Sequence, residues 1–521
     1  MSKDLESAAG SARHIARWQK AQQLLLNGRS DQALLIYQDL TRQFPDTARL
    51  WYELGFAAGK QLEFALADEA CQRAVALAAK NVSLLVLLGQ QYHWLRRLDR
   101  ARACFEQAVA AAPTSIHAQL SLADWYERER RLDDAWQCVE TCVAREPGNS
   151  QVLCVKALLL QRRGRNSEAE TLLRDLIQRG AGDPNVHYSS RQQLATVLDQ
   201  LGQYPEALHW LGEAKAVLRR TAKVAKMEQE YDRAVRRRRE FLAKLTSESL
   251  RRWREEGAAT AGPGPQRLAF LGGHPRTGTT LLEQILGAHP AIGSFDEPMA
   301  FADEVAEKLA PMNAVTTLTV NTLNALTADQ CSHFRQRYFK SLLRQDAGDP
   351  APALWLDKNP SPTAWLHLWL RIFPELKVII ALRDPRDVIV SCYFQNLRLN
   401  ATNANFLSLE RTVTHYSDLM DVWLRMRELG GFDWIETRYE DVVANVAAEG
   451  RRVTEFLGLP WHAGQEAFHE KNQKKFVYSP TYSDVTKPVY QRAVGRWRHY
   501  AEALAPLGAR LATYCRTFRY D

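Results

Sequence analysis

The sequence predicts two parts: an α-helical solenoid of repeated helix pairs, then an α/β domain built on a central parallel sheet. Three observations predict it. An alanine recurs every 34 residues from Ala33 to Ala169. A Gly/Pro-rich stretch, residues 257–266, then interrupts the chain. Directly after it, the apolar run Leu268–Leu271 enters a glycine-containing loop, and helix-spaced apolar residues follow.

The bulk numbers agree with this division. A chain of 521 residues exceeds one ordinary hydrophobic core. An apolar fraction of 46% and a charged fraction of 25% belong to a folded protein rather than a disordered one. The net charge of +8 favours anionic ligands without choosing among them. Eight cysteines form no CxxC pair and no Cys/His cluster, so neither a zinc site nor a disulfide framework is expected, and a reducing compartment is the simplest reading. The first residues, MSKDLESAAGSARHIARW, lack the apolar core of a signal peptide, and no run reaches the length of a membrane span. The expected location is the cytoplasm.

The repeat is built on Ala33, Ala67, Ala101, Ala135 and Ala169, each followed four residues later by a larger side chain: Tyr37, Cys71, Phe105, Val139 and Leu173. Prolines follow three of them, at Pro45, Pro113 and Pro147. Upstream, Trp51-x2-Leu54-Gly55 and Leu85-x2-Leu88-Gly89-x2-Tyr92 supply the first helix of a unit. Alanine lets two helices cross closely, and proline stops the second. The pattern resembles the tetratricopeptide repeat, with about six units over 12–219, the sixth drifted and centred on Ala207. Such a solenoid implies either a groove for a peptide or protein partner, or a scaffold or dimerisation element for the second half. Residues 220–256 read as a charged helix with Arg236–Arg239 on a solvated surface, so nucleic acid is not expected. With the linker this segment spans 220–266, and the α/β domain spans 267–521.

The first loop of that domain, Gly272-Gly273-His274-Pro275-Arg276-Thr277-Gly278-Thr279-Thr280, keeps the GxxxxG spacing of a nucleotide-binding P-loop. A strand, such a loop and a helix together turn backbone N–H groups toward an anion. Thr279 stands where a P-loop NTPase or kinase carries its lysine, and Arg276 is the local cation instead. A second strand, Val378–Leu382, ends in Arg383, with Ser391 eight residues on. An arginine fork and a hydroxyl suit a phosphate, the plain alternative being an Arg383–Asp387 salt bridge.

These motifs, over about 267–500, resemble PAPS-dependent sulfotransferases (PAPS is 3′-phosphoadenosine-5′-phosphosulfate), above all the protein-tyrosine sulfotransferases and the tetratricopeptide-fused members. The resemblance implies a P-loop-like fold, PAPS as co-substrate and no metal. It assigns the 5′-phosphosulfate to Arg276, Thr277, Gly278, Thr279 and Thr280, and the 3′-phosphate to Arg383 and Ser391. Glu297, 21 residues after Arg276, becomes the base, and Lys358, 25 residues before Arg383, the transition-state cation. Thr481 falls where the family has a second stabilising hydroxyl, with Ser479 or Ser483 as substitutes. The segment through Lys487 to Arg496 becomes a flap over the cofactor, with Arg496 on the 3′-phosphate and Tyr439 against the nucleotide. His289 is expected to be structural. Two departures stand out. Gln395 replaces a phosphate-binding arginine, and Pro298-Met299-Ala300-Phe301 replaces the arginines with which tyrosine-specific enzymes read acidic peptides. The acceptor hydroxyl is therefore open among peptide tyrosine, glycan and small alcohol, as is self-association. The competing readings are a P-loop kinase or NTPase-like enzyme and a repeat-based interaction protein with an inactive transferase half.

Overall fold

A computed structural model describes residues 12–180, 183–260, 267–311, 318–343, 352–396, 398–471 and 492–521. They fall into two compact units, Met1–Arg165 with Leu343–Asp346, and Asn166–Leu342 with Ala347–Asp521.

The first unit carries nine described helices between Ala12 and Arg162, joined by short turns. The repeat alanines are what the helices cross on: Ala33, Ala67, Ala101 and Ala135 are all 0% exposed. Glycines take the tightest crossings. A Cβ at Gly89 would lie 2.7 Å from the Phe105 ring, and one at Gly55 would lie 2.9 Å from Cys71 Sγ. The prolines do more than end a helix, since Trp51 Nε1 donates to the Pro45 carbonyl at 2.7 Å and ties the next unit to it.

The second unit opens with Asn166–Arg179, α1 (Pro184–Gln200) and α2 (Tyr204–Arg219), the last repeat helices. Ala169 and Ala207 are again fully buried. The charged helix α3 (Ala222–Lys244) is amphipathic rather than simply solvated. Val224, Tyr231, Val235 and Leu242 line a buried stripe. Arg239, from the four-arginine run, meets Asp418 at 2.5 Å, and Arg411 answers Asp232 at 2.8 Å, so the helix is fastened to α7 (Leu409–Leu429). α4 (Ser247–Thr260) runs into the stretch read as linker. It can do so because Gly257 lies against Pro374, where a Cβ would come within 2.4 Å, while Trp253 anchors the helix in the core.

Five strands follow: β1 (Arg267–Gly273), β2 (Ile292–Asp296), β3 (Leu354–Lys358), β4 (Lys377–Leu382) and β5 (Asp433–Arg438). They form one all-parallel sheet in the order β2-β3-β1-β4-β5. Parallel strands covered on both faces are continuously apolar, as in Leu268–Leu271 and Val378–Ile380, which are all buried. β2 and β3 were not legible as strands, because IGSFD and LWLDK mix polar residues into short runs. Asp296, Asp357 and Lys358 are buried all the same; Asp357 accepts a hydrogen bond from Tyr338 Oη at 2.8 Å. α5 (Thr279–Gly287) follows β1, and α6 (Pro385–Tyr393) follows β4.

Candidate active site

Each strand delivers one of the expected residues at its carboxyl end. Arg276 follows β1, Glu297 follows β2, Lys358 is the last residue of β3, Arg383 follows β4 and Tyr439 follows β5. That edge is where open α/β sheets bind ligands.

The loop between β1 and α5 depends on its glycines. Gly273 (φ +127°) would place a Cβ 2.4 Å from the Ala381 carbonyl oxygen, and Gly278 (φ +91°) would place one 2.5 Å from the Tyr439 ring. The Gly273 N–H donates to Thr363 Oγ1 at 2.9 Å, and Thr277 Oγ1 donates back to the His274 carbonyl at 2.8 Å. Gly278 caps α5 with no side chain, so the helix opens on bare N–H groups flanked by the hydroxyls of Thr279 and Thr280. Arg276 itself has φ +75°, a left-handed conformation that costs a non-glycine residue about 1–3 kcal/mol.

The two expected anion cradles meet. Arg276 Nε donates to Ser391 Oγ at 3.1 Å, and Arg383 Nη1 donates to the Arg276 carbonyl at 3.2 Å. Arg383 Nη2 donates to the Ala493 carbonyl, and its guanidinium lies 4.9 Å from the Tyr439 ring centroid. Its Nε is buried without a hydrogen-bond partner. The plain Arg383–Asp387 salt bridge is long, at 3.8 Å. Asp387 instead accepts the backbone N–H groups of Gly495 and Trp497, both at 2.7 Å. Burial pushes its carboxyl above the ordinary range, against the pull of Arg383.

Around Lys358 the chemistry changes sign. Its side chain is 0% exposed, and Nζ ion-pairs with buried Asp296 and reaches Glu297 Oε1 and Thr280 Oγ1, both at 3.3 Å. Burial alone would push this ammonium down, but the charges of Glu297, Asp296 and Glu283 outweigh it and hold the pKa above the ordinary value. Lys358 is thus a permanent cation. The Glu297 side chain, 36% exposed, is the part of this cluster that reaches solvent. Its backbone has φ +49° and donates to the Lys358 carbonyl at 2.7 Å, which locks the strained turn to β3.

Arg496 lies against the last repeat helices. Its guanidinium pairs with Asp199 of α1 at 2.9 Å and covers the Phe394 ring at 4.6 Å. Tyr500 Oη donates to the same carboxylate at 2.5 Å. One carboxylate of α1 thus holds both Arg496 and Tyr500. Gln192 and Lys215 add hydrogen bonds to the carbonyls of Phe394 and Gln395, both at 2.8 Å, so the last repeat helices brace the chain that follows Ser391. Asp199→Ala leaves Arg496 and Tyr500 without this acceptor. It is expected to lower unfolding free energy by about 1–3 kcal/mol, read as a shifted urea midpoint.

Thr481, Ser479, Ser483 and Lys487 lie outside the described residues. His289 is structural: its Nδ1 accepts the Ala291 N–H and its Nε2 faces the Pro460 carbonyl, both at 3.0 Å. A group that the motifs did not disclose is the buried pair His274 Nε2 and His415 Nδ1, 2.8 Å apart behind the loop. Burial pushes His274 down to about 4 and His415 well below its ordinary value, so both are neutral and serve as packing for the loop. The only signal was His274 lying inside the motif.

The fold and the strand-end geometry define an α/β domain with a glycine-containing loop between its central strand and the helix that follows. Residues 269–463 match the model of the sulfotransferase family, and residues 82–115 match that of the tetratricopeptide repeat. One part of the chain is therefore similar to tetratricopeptide-repeat proteins and the other to the sulfotransferase family. Protein-tyrosine sulfotransferase A of Caenorhabditis elegans is 24% identical over 238 residues, 44% of this chain and 60% of that protein. An uncharacterized protein of Aquifex aeolicus (strain VF5) is 26% identical over 249 residues, 46% of this chain and 32% of its own length. The chain thus spans less than two thirds of either relative. Among solved structures, the sulfotransferase domain of the Synechococcus PCC 7002 olefin synthase is 20% identical, covering 50% of this chain and 97% of that one with a TM-score of 0.32.

Proposed function

We propose that the protein is a sulfotransferase that moves the sulfuryl group of PAPS to an acceptor hydroxyl. The observation that carries this reading is the direct link between the Arg276 loop and the Arg383–Ser391 cradle, with Glu297 and Lys358 on the same sheet edge. The donor set fits a doubly phosphorylated nucleotide: two guanidinium groups, a serine hydroxyl and a bare helix N-terminus, with the buried Arg383 Nε free to bond an oxygen. Tyr439, between Gly278 and Arg383, supplies an aromatic wall.

In this reading Glu297 takes the proton of the acceptor hydroxyl as that oxygen bonds to sulfur. The sulfur–oxygen bond to the 5′-phosphate breaks, and its electron pair leaves with adenosine 3′,5′-bisphosphate. Lys358 and Arg276 steady the oxygen that gains this charge. A kinase-type NTPase is disfavoured because Thr279 occupies the lysine position. An inactive transferase half is disfavoured because Arg276, Glu297, Lys358, Arg383 and Ser391 stand together.

The repeats are read as recruiting the acceptor or a partner. The first unit offers a concave cavity of about 640 Å³ lined by His93, Phe105, Leu120, Trp125 and Arg128, which suits a peptide. A cytoplasmic location is proposed from the eight cysteines, all unbridged. No helix among the described residues is long and apolar enough to cross a membrane. Calorimetry tests the donor: adenosine 3′,5′-bisphosphate is expected to bind more tightly than ATP. Arg383→Ala is expected to cost about 2–4 kcal/mol of that binding, on the order of 30- to 1,000-fold in Kd. Tighter binding of ATP would reverse the assignment.

A further inference from the structure

We infer that the last repeat pair is part of the nucleotide site: Tyr188, Gln192 and Lys215 are positioning residues that hold Ser391 for the 3′-phosphate. The inference rests on the sulfotransferase reading, and it extends the functional transferase unit back to the repeat helices α1 and α2.

Ser391 stands in the last turn of α6, and its Oγ accepts from Arg276 Nε at 3.1 Å. The chain then leaves the helix in a turn tied back onto it. Phe394 N–H donates to the Val390 carbonyl at 3.1 Å, Gln395 N–H to the Cys392 carbonyl at 3.0 Å, and Gln395 Nε2 to the Ser391 carbonyl at 3.3 Å. Whatever fixes Phe394 and Gln395 therefore fixes Ser391. Three consecutive residues of this turn are each held by one side chain of the repeat pair. Gln192 Nε2 donates to the Phe394 carbonyl and Lys215 Nζ to the Gln395 carbonyl, both at 2.8 Å, and Tyr188 Oη donates to Asn396 Oδ1 at 3.1 Å.

These contacts are directed rather than incidental to helix packing. Tyr188, Gln192 and Asp199 fall within about 40° of one another around α1, so one face of the helix carries all three. Asp199 acts on the same turn through its partners, because Arg496 lies 4.6 Å and Tyr500 5.4 Å from the Phe394 ring. Lys215 is 2% exposed, and among the described residues no carboxylate pairs with it. Burial pulls its ammonium down to about 7. Packing alone gains nothing from an ammonium there, since an apolar chain would fill the same space without the desolvation. The Cys392 thiol feels the positive charge of Arg276, Arg383 and Lys215 together, so Lys215 belongs to the same cluster of cations as the two arginines of the cradle. A phosphate on Arg383 and Ser391 brings this ammonium a counter-charge.

Calorimetry on the full chain tests this with adenosine 3′,5′-bisphosphate and adenosine 5′-monophosphate, which lacks only the 3′-phosphate. Wild type is expected to prefer the bisphosphate. Lys215→Met, which nearly keeps the buried volume, should weaken bisphosphate binding by about tenfold and leave the monophosphate within about twofold. Gln192→Leu should narrow the preference in the same sense by about threefold, and it carries the test if the Lys215 variant fails to fold. Equal losses for both nucleotides, as a general loosening of the fold gives, would overturn the inference. So would a preference that survives both substitutions. A wild-type chain with no preference for the bisphosphate would instead overturn the PAPS reading beneath it.

Discussion

Glu297→Gln is expected to lower kcat by about 10²–10⁴-fold and to leave the affinity for adenosine 3′,5′-bisphosphate as it was. The substitution keeps side-chain volume and the backbone N–H bond to the Lys358 carbonyl, so the strained turn at φ +49° persists. It removes the basic carboxylate and, with it, the charge that faces Lys358 Nζ at 3.3 Å. The residues proposed to hold the nucleotide stand at other strand ends, β1, β4 and β5. Single-turnover transfer set beside calorimetry separates the two effects. Turnover at the wild-type rate would remove Glu297 from the role of base.

Lys358→Met is expected to be the most damaging change, in two independent ways. Turnover falls, because the cation facing the leaving oxygen is gone. Stability falls by about 3–5 kcal/mol, because Asp296 is buried and its ion-pair partner has been replaced by a thioether. The stability loss should also depend on pH. A buried, unpaired carboxylate holds its proton to higher pH in the folded chain than in the unfolded one, so folding is favoured below that raised value and weakened as pH rises through it. The variant's deficit relative to wild type should therefore be smaller near pH 5 than near pH 8 in urea titrations. A deficit that does not change between these values would mean that Asp296 finds another partner.

The Gln variant at 297 and the Met variant at 358 together separate two roles that the cluster combines. Glu297, the proposed base, is partly open to solvent, while Lys358 is enclosed and ion-pairs with Asp296 and Glu297. Loss of the first should spare the fold. Loss of the second should not.

Local chemistry was enough for part of this protein. The recurring alanines follow a period, and every one from Ala33 to Ala169 is fully buried, because a helix crossing needs a small residue wherever it occurs. The β1 loop and the Arg383 strand end were legible for a similar reason: an apolar run and a helix start lie within a few residues of one another, joined in the first by a glycine with positive φ and in the second by Asp384-Pro385. Thr481 and Lys487 belong to that same reading and lie outside the described residues.

Only the tertiary structure decided the rest. That IGSFD and LWLDK are strands depends on partners 62 positions apart, since Ile292 pairs with Leu354 and Asp296 with Lys358. Arg496 meets Asp199 across 297 residues, and His274 meets His415 across 141. Such pairs leave no local trace, because an arginine or histidine at the surface and one held by a distant carboxylate or ring have the same neighbours in sequence. Residue type set what each group could do, and the sheet order set which groups could do it together.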